Sequence, residues 1–498
     1  MQVCYWGPVS PTSAPGQTSS HQPARALTAS ATRGSSATPA RRASSAACRA
    51  QTRRRPRLLL SCVLAACASF GCKPTPSDPA PAEPASVSAP SVSAEPPAPP
   101  KPEPKRPYNV LFIMIDSLRA DMPWTGYPRD IAPWLTKFQK RSTTYTRGYS
   151  MSSYTAKSVA PTLVGKYGTE MARDGYFFTK WLPSNLFISE RAQAEGHRTL
   201  AGHAHGYFLP VMGLNQGFDD YQLLPGTVLD LTGVATITSE ALTGMAKTML
   251  DGDNVKQANN KRFFAYFHYL DPHFTYFKHE GHPDFGNKRR DLYDNEVHYS
   301  DKWVGDLIDW VYKQPWGKDT VVIITADHGE GMGEHGHYRH AYEVWESLVR
   351  VPLIIHVPGA DARRIEVPRG SIDIAPTIAD LMGLKDDPPF RGKSLLPEVF
   401  GAEAERRPVI VDLPRADLMD KRRAMIDGDL KLISFGDDQR FLLYDVAKDF
   451  AEEHELSKAR PEEFERMKKL YLEESAKIPN VPVVGGVPLK GDRLQQRF

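Results

Sequence analysis

Val321–His340 reads VVIITADHGEGMGEHGHYRH. Its first four residues are apolar β-formers without interruption, the pattern of a strand buried on both faces. From Thr325 on, Asp327, His328, Glu330, Glu334, His335, His337 and His340 come together among four glycines. A carboxylate followed by an imidazole at a strand's C-terminal end offers a divalent cation a hard oxygen and a borderline nitrogen. The glycines permit sharp turns and close backbone approach. The bland alternative is a solvated polar loop, and the apolar strand that feeds the run argues against it.

Other segments repeat the theme. NVLFIMI (Asn109 to Ile115) is a continuous apolar run ending at Asp116, and RFFAYFHYLDPH (Arg262 to His273) ends at His273. VPLIIHV (Val351 to Val357) reads as a further buried strand, and HRTLAGHAHGYF (His197 to Phe208) as a strand with a polar end. Helical patterns lie between them, at Ala132 to Arg141 and Asn295 to Lys313. Alternating strands and helices predict an α/β sheet covered on both faces. Ligands bind such sheets beyond the carboxyl ends of the strands, which is where Asp116, His273 and Asp327 fall. From about Arg407 the pattern becomes short alternating segments, PVIVDL, RAMIDGDLKLISF and RFLLYDV, with turn signals at Asp427-Gly428 and Gly436-Asp437. These predict a small antiparallel sheet, followed by an amphipathic helix from Pro461 to Ser475.

The formal charge of +3 is unevenly spread. Residues 1–72 hold nine arginines and no acidic residue, leaving 53 basic against 59 acidic residues beyond them. That balance offers no global field for nucleic acid. All five cysteines (Cys4, Cys48, Cys62, Cys67, Cys72) lie in the same segment, so the body has neither disulfide nor thiolate metal site. Arg53 to Arg57 followed by LLLSCVLAACASFGC has the shape of a secretory signal, too short to span a bilayer. Leu64-Ala65-Ala66-Cys67 resembles a bacterial lipobox, with Cys72 as a second match. The resemblance implies export to the cell envelope and a lipid anchor on Cys67 holding the chain to a bacterial membrane. An organelle transit peptide is the alternative, because the segment is rich in Arg and Ser, and residues 1 to about 50 read as an early-called start. Residues 73–107, rich in Pro and Ala, form a linker that cannot bury a core. The expected organisation is therefore a basic extension with signal (1–72), this linker, a catalytic domain (108–400) and a C-terminal subdomain with tail (401–498).

Taken together, NVLFIMIDSLRAD, the Thr155–Gly165 segment, HYLDPHFTY, ITADHGEGMGEHG and ESLVRVPLII resemble the sulfatase-like branch of the alkaline phosphatase superfamily. The resemblance implies an alkaline phosphatase-like mixed sheet sandwiched by helices, with a small C-terminal antiparallel subdomain. Sulfatases carry a Cys or Ser, converted to formylglycine, in C/S-x-P-x-R. Here the matching frame begins at Thr155, with Lys157 where the Pro would be and Val159 in place of the Arg. The frame therefore resembles phosphoethanolamine and phosphoglycerol transferases, whose nucleophile is a Thr. Carried over, Asp116, Thr155, Asp327 and His328 are metal ligands for one divalent ion, Zn or Mn before Ca or Mg.

The same resemblance makes Thr155 and His273 the catalytic residues, the latter at the leaving group, and places His340 and His335 at the substrate. His268 reads as core or as support behind the ligands, and Arg119 and Asp121 as a loop brace. The substrate is a phosphoester (phosphodiester or phospholipid-like) or a sulfate ester. The alternatives are a true sulfatase with unmodified Thr155, or an inactive binding lipoprotein on the same fold.

Overall fold

A computed structural model of the protein describes residues 107–227, 237–251, 255, 262–385 and 388–485. The signal, Cys67, Cys72 and nearly all of the Pro/Ala-rich linker lie outside the described residues. Among the described residues fifteen strands are present: β1 Asn109–Ile115, β2 Thr143–Tyr149, β3 Arg198–His203, β4 Asp220–Leu223, β5 Phe263–Tyr269, β6 Thr320–Thr325, β7 Gly331–Met332, β8 Tyr338–Arg339, β9 Arg350–His356, β10 Arg363–Ile365, β11 Arg369–Gly370, β12 Val409–Leu413, β13 Arg422–Asp427, β14 Leu430–Phe435 and β15 Arg440–Asp445.

The main sheet runs β10-β2-β9-β6-β1-β5-β3-β4, with β11 continuing alongside β2. Of its strands only β9 runs against the rest, so the sheet is mixed as expected. The unbroken apolar runs occupy its centre. Every residue of β1, β5 and β6 is buried, because helices cover both faces. One core packs the helices Thr155–Val164 and Ile374–Met382 against one face, and a second packs Arg289–Tyr312 against the other. The long helix begins six residues before its predicted start, where the Asp291 carboxylate accepts the Lys288 N–H at 2.9 Å.

Proline shapes the antiparallel seam. Tyr145 faces Leu353 and Gly148 faces Val351, so two β2 residues stand opposite Pro352 alone. Pro352 has no N–H for the ladder, and a bulge in β2 accommodates the loss. Beside the bulge, a side chain on Gly148 would meet the Val351 carbonyl at 2.7 Å.

The second sheet, β12-β13-β14-β15, is fully antiparallel, with left-handed Gly428 and Gly436 in its last two turns. The helix Pro461–Ala476 covers it, burying Met467 and Tyr471. Among the described residues no helix is long and apolar enough to cross a membrane.

Candidate active site

Because β1, β3, β5 and β6 are parallel, their carboxyl ends open at one edge of the sheet. Asp116 follows β1, Asp327 and His328 follow β6, and His268 is the penultimate residue of β5. The Asp116, His268 and Asp327 ligand atoms lie within 4.8 Å of one another, all fully buried. His268 Nε2 is 3.2 Å from Asp116 Oδ2. His328 Nε2 stands 3.4 Å from Asp327 Oδ2 and 3.5 Å from Asp116 Oδ1. Donors at ~2.0–2.1 Å from a tetrahedral centre lie ~3.3 Å apart, so the spacing suits a cation.

The donors are held from behind. Asp327 Oδ1 accepts the His328 N–H at 2.9 Å and the Ser117 N–H at 3.3 Å, while its buried Oδ2 accepts no hydrogen bond. His328 Nδ1 donates to the Gly329 carbonyl at 2.8 Å, which leaves the Nε2 lone pair facing the site. Tyr266 Oη, 2.9 Å from His268 Nδ1, orients the other imidazole. Gly329 follows His328 for a steric reason: a Cβ there would meet the Ser347 carbonyl at 2.2 Å.

Thr155 enters from the side. It is the first residue of the helix Thr155–Val164, with Tyr154 at the N-cap, so its hydroxyl does not cap the helix. Instead Oγ1 lies 3.0 Å from His328 Nε2 and 3.5 Å from Asp116 Oδ2. The amides of the helix's first turn add anion affinity at this point. Val159, where a sulfatase has Arg, is buried in the core.

The electrostatics carry the same message. Burial acts to raise the Asp116 carboxyl, but His273, His268 and His328 hold it well below the ordinary carboxylate range. Burial raises the Asp327 carboxyl, and neighbouring Asp116 adds to the rise. Burial would lower His328, yet Asp327 and Asp116 outweigh it and raise this imidazole. Two buried carboxylates without a Lys or Arg partner are costly, and a divalent cation relieves that cost.

His340 stacks on His328, with ring centres 4.2 Å apart, and His273 lies 5.1 Å from His340. Burial lowers both imidazoles, His340 well below the ordinary range. The structure therefore gathers Asp116, Thr155, Asp327, His328, His273 and His340. It does not gather His335, whose exposed ring lies on Trp345 at 3.8 Å and whose Nε2 reaches the Ala451 carbonyl. Arg119 and Asp121 pair at 3.0 Å, and Arg119 holds Glu334 at 2.9 Å, a brace under the loop.

Three further residues stand at the site that the sequence reading did not assign as ligands or substrate contacts. His268 was legible only as one His inside an apolar strand. Glu330 is buried with Oε1 3.4 Å from His340 Nδ1, and Tyr276 donates to its other oxygen. His205 lies 5.6 Å from His273 and accepts the Tyr207 N–H, at the polar end of the HRTLAGHAHGYF segment.

Comparison with known proteins supplies the family context. The sulfatase family model matches residues 108–384, more than half of the chain. The C-terminal model of N-sulphoglucosamine sulphohydrolase matches residues 333–477. An ulvan-active sulfatase of Formosa agariphila is 26% identical over 360 residues, covering 61% of this chain and 68% of that protein. Further curated relatives are matched over only 23–28% of their length. Among solved structures, Ps i-CgsB in complex with k-i-k-neocarrahexaose has a TM-score of 0.63 at 19% identity, over 79% of this chain and 97% of that one. The phosphonate monoester hydrolase SpPMH from Silicibacter pomeroyi has a TM-score of 0.58 at 19% identity, over 75% and 96%.

Proposed function

Because this chain belongs to the sulfatase family, we propose that it is a metal-dependent ester hydrolase that cleaves a sulfate ester, with unmodified Thr155 as nucleophile. One observation carries the reading: Thr155 Oγ1 sits at the edge of the buried Asp116, Asp327, His268 and His328 cluster. These four side chains would hold the cation, and the mixed oxygen and nitrogen set favours Zn or Mn over Ca or Mg. When bound, the ion lowers the pKa of the Thr155 hydroxyl and polarises the ester oxygens.

The chain's own groups do the rest. Oγ1 releases its proton to solvent and bonds to sulfur while the bond from sulfur to the alcohol oxygen breaks. His273, brought in its imidazolium form, gives its proton to that departing oxygen. Water then attacks sulfur, restores the Thr155 hydroxyl and releases sulfate. The first-turn amides face the anionic ester, and His340 lines the same pocket. The ulvan-active sulfatase supports a sulfated polysaccharide as the substrate class.

A phosphoester or phosphonate ester is the second reading. It is favoured by Thr155 standing where formylglycine would be expected, since a threonyl intermediate must be resolved by direct attack on sulfur or phosphorus. The N-terminal signal supports an exported, lipid-anchored enzyme, tested by mass spectrometry of the mature N-terminus. For the activity, purified protein is loaded with Mn or Zn and assayed against aryl sulfates, sulfated oligosaccharides, phosphodiesters and phosphonate esters. We expect turnover of the sulfate esters and a loss of more than about 10⁴-fold in Thr155→Ala. Full activity in that variant would refute the assignment, and turnover of phosphorus esters alone would move the substrate class.

A further inference from the structure

From the rim of this site we infer that Arg289 and Arg339 form a subsite for a second anionic group on the substrate. The enzyme would then take a polyanionic ester, such as a sugar bearing a further sulfate or a carboxylate. This inference rests on the function proposed above.

Arg339 adjoins a site histidine in the chain, and Arg289 reaches the ring of Phe274, the residue that follows another. Arg339 directly precedes His340, and its charge acts on that imidazole. Its guanidinium carbon lies 3.8 Å from the ring centre of Phe274, the residue after His273. Arg289 lies 5.8 Å from the same ring and 4.8 Å from that of Tyr338. Phe274 in turn meets Tyr276 edge-on at 5.5 Å, and Tyr276 holds Glu330 beside His340.

What holds these cations matters. Other arginines of these loops are matched with carboxylates: Arg119 with Asp121 and Glu334, Arg129 with Asp291, Arg290 with Asp121 and Asp294. Among the described residues, Arg289 and Arg339 make no ion pair and are held by aromatic rings. A ring engages the face of a guanidinium and leaves its in-plane N–H donors free. The two cations lie 3.8 and 5.8 Å from one ring centre, so an anion beside that ring is attracted by both. The planar fork of donors matches a carboxylate or sulfate. Both side chains are exposed, as is Tyr338, so a ligand reaches them from solvent. The loop geometry is also fixed rather than incidental: Arg339 has φ +67° and pairs with Gly331 across β7 and β8.

The test separates binding from turnover. On a Thr155→Ala background, calorimetry measures binding of a disulfated disaccharide and of its singly desulfated counterpart, in low and in 0.5 M salt. We expect the dianion to bind at least tenfold more tightly at low salt. Arg289→Ala and Arg339→Ala should each cut that preference at least threefold, with unchanged melting temperature. In parallel, KM for the disulfated sugar should rise in the two single variants of the active enzyme. A preference that is absent, or equal in all variants, overturns the subsite. If the preference holds but no ester is turned over by the parent enzyme, the catalytic reading alone fails.

Discussion

Asp327→Asn should stabilise the metal-free protein and forfeit most of the stability that bound metal adds. In the structure the Asp116 and Asp327 ligand oxygens lie within 4.8 Å of each other, fully buried. Two unit charges at that separation repel by about 3.5 kcal/mol at an effective dielectric of ~20. The raised Asp327 carboxyl takes up a proton and so relieves part of this repulsion. The amide is a mild replacement. Oδ1 would keep the Ser117 and His328 N–H bonds, and Nδ2 would replace an oxygen that accepts none.

Without metal, the variant should therefore be more stable than the parent, by about 1–3 kcal/mol. With cation at 100 times its Kd, the parent gains about 2.7 kcal/mol and the variant, stripped of a ligand, gains far less. Chemical denaturation with chelator and with excess Mn or Zn reads both differences. A variant less stable than the parent in chelator would refute the repulsion. An equal metal-induced gain in both would refute Asp327 as a ligand.

Three further outcomes rest on particular side chains. If His273 protonates the leaving oxygen, kcat/KM for an alkyl ester should fall as pH rises through a value below the usual His range, because burial lowers this imidazole. An aryl ester with a good leaving group should be less sensitive, and His273→Ala should lose about 10²–10⁴-fold on the alkyl ester only; equal losses on both would exclude the role. Away from the site, buried Lys431 bridges Glu346 and Glu452 at 3.0 Å each. Lys431→Met should cost about 3–5 kcal/mol in denaturant unfolding, by leaving the buried Glu452 without a cation. Burial raises Glu452 to about 7 against the ordinary 4.5. The folded state thus holds this proton more tightly than the unfolded one, and stability should fall between about pH 4.5 and 7. Glu452→Gln should flatten that slope, and an unchanged slope would exclude Glu452 as its source.

How far the sequence speaks depends on where a residue's neighbours lie. The central strands were legible because a strand buried on both faces needs an unbroken apolar run, and NVLFIMI and VVII have no other use. Their polar ends were legible for the same reason: Asp116 and Asp327 break the run where the sheet opens to ligand. Thr155 drew its assignment from the family frame rather than from chemistry, since many Ser and Thr surround it. The structure adds the contact with His328 that the frame could not contain. His268 failed in the opposite way. It sits within the apolar strand FFAYFHY, opposite Met114 in the register, and sequence gives no means of distinguishing a satisfied core imidazole from a ligand. Only the pairing of β5 with β1 puts it beside Asp116. His335 misled because proximity in the chain stood in for proximity in space. The turn at Gly333 and Gly336, both with positive φ, carries its ring onto Trp345 instead. The long-range pairings are what the chain could not spell out, and they decide which histidines belong to the site.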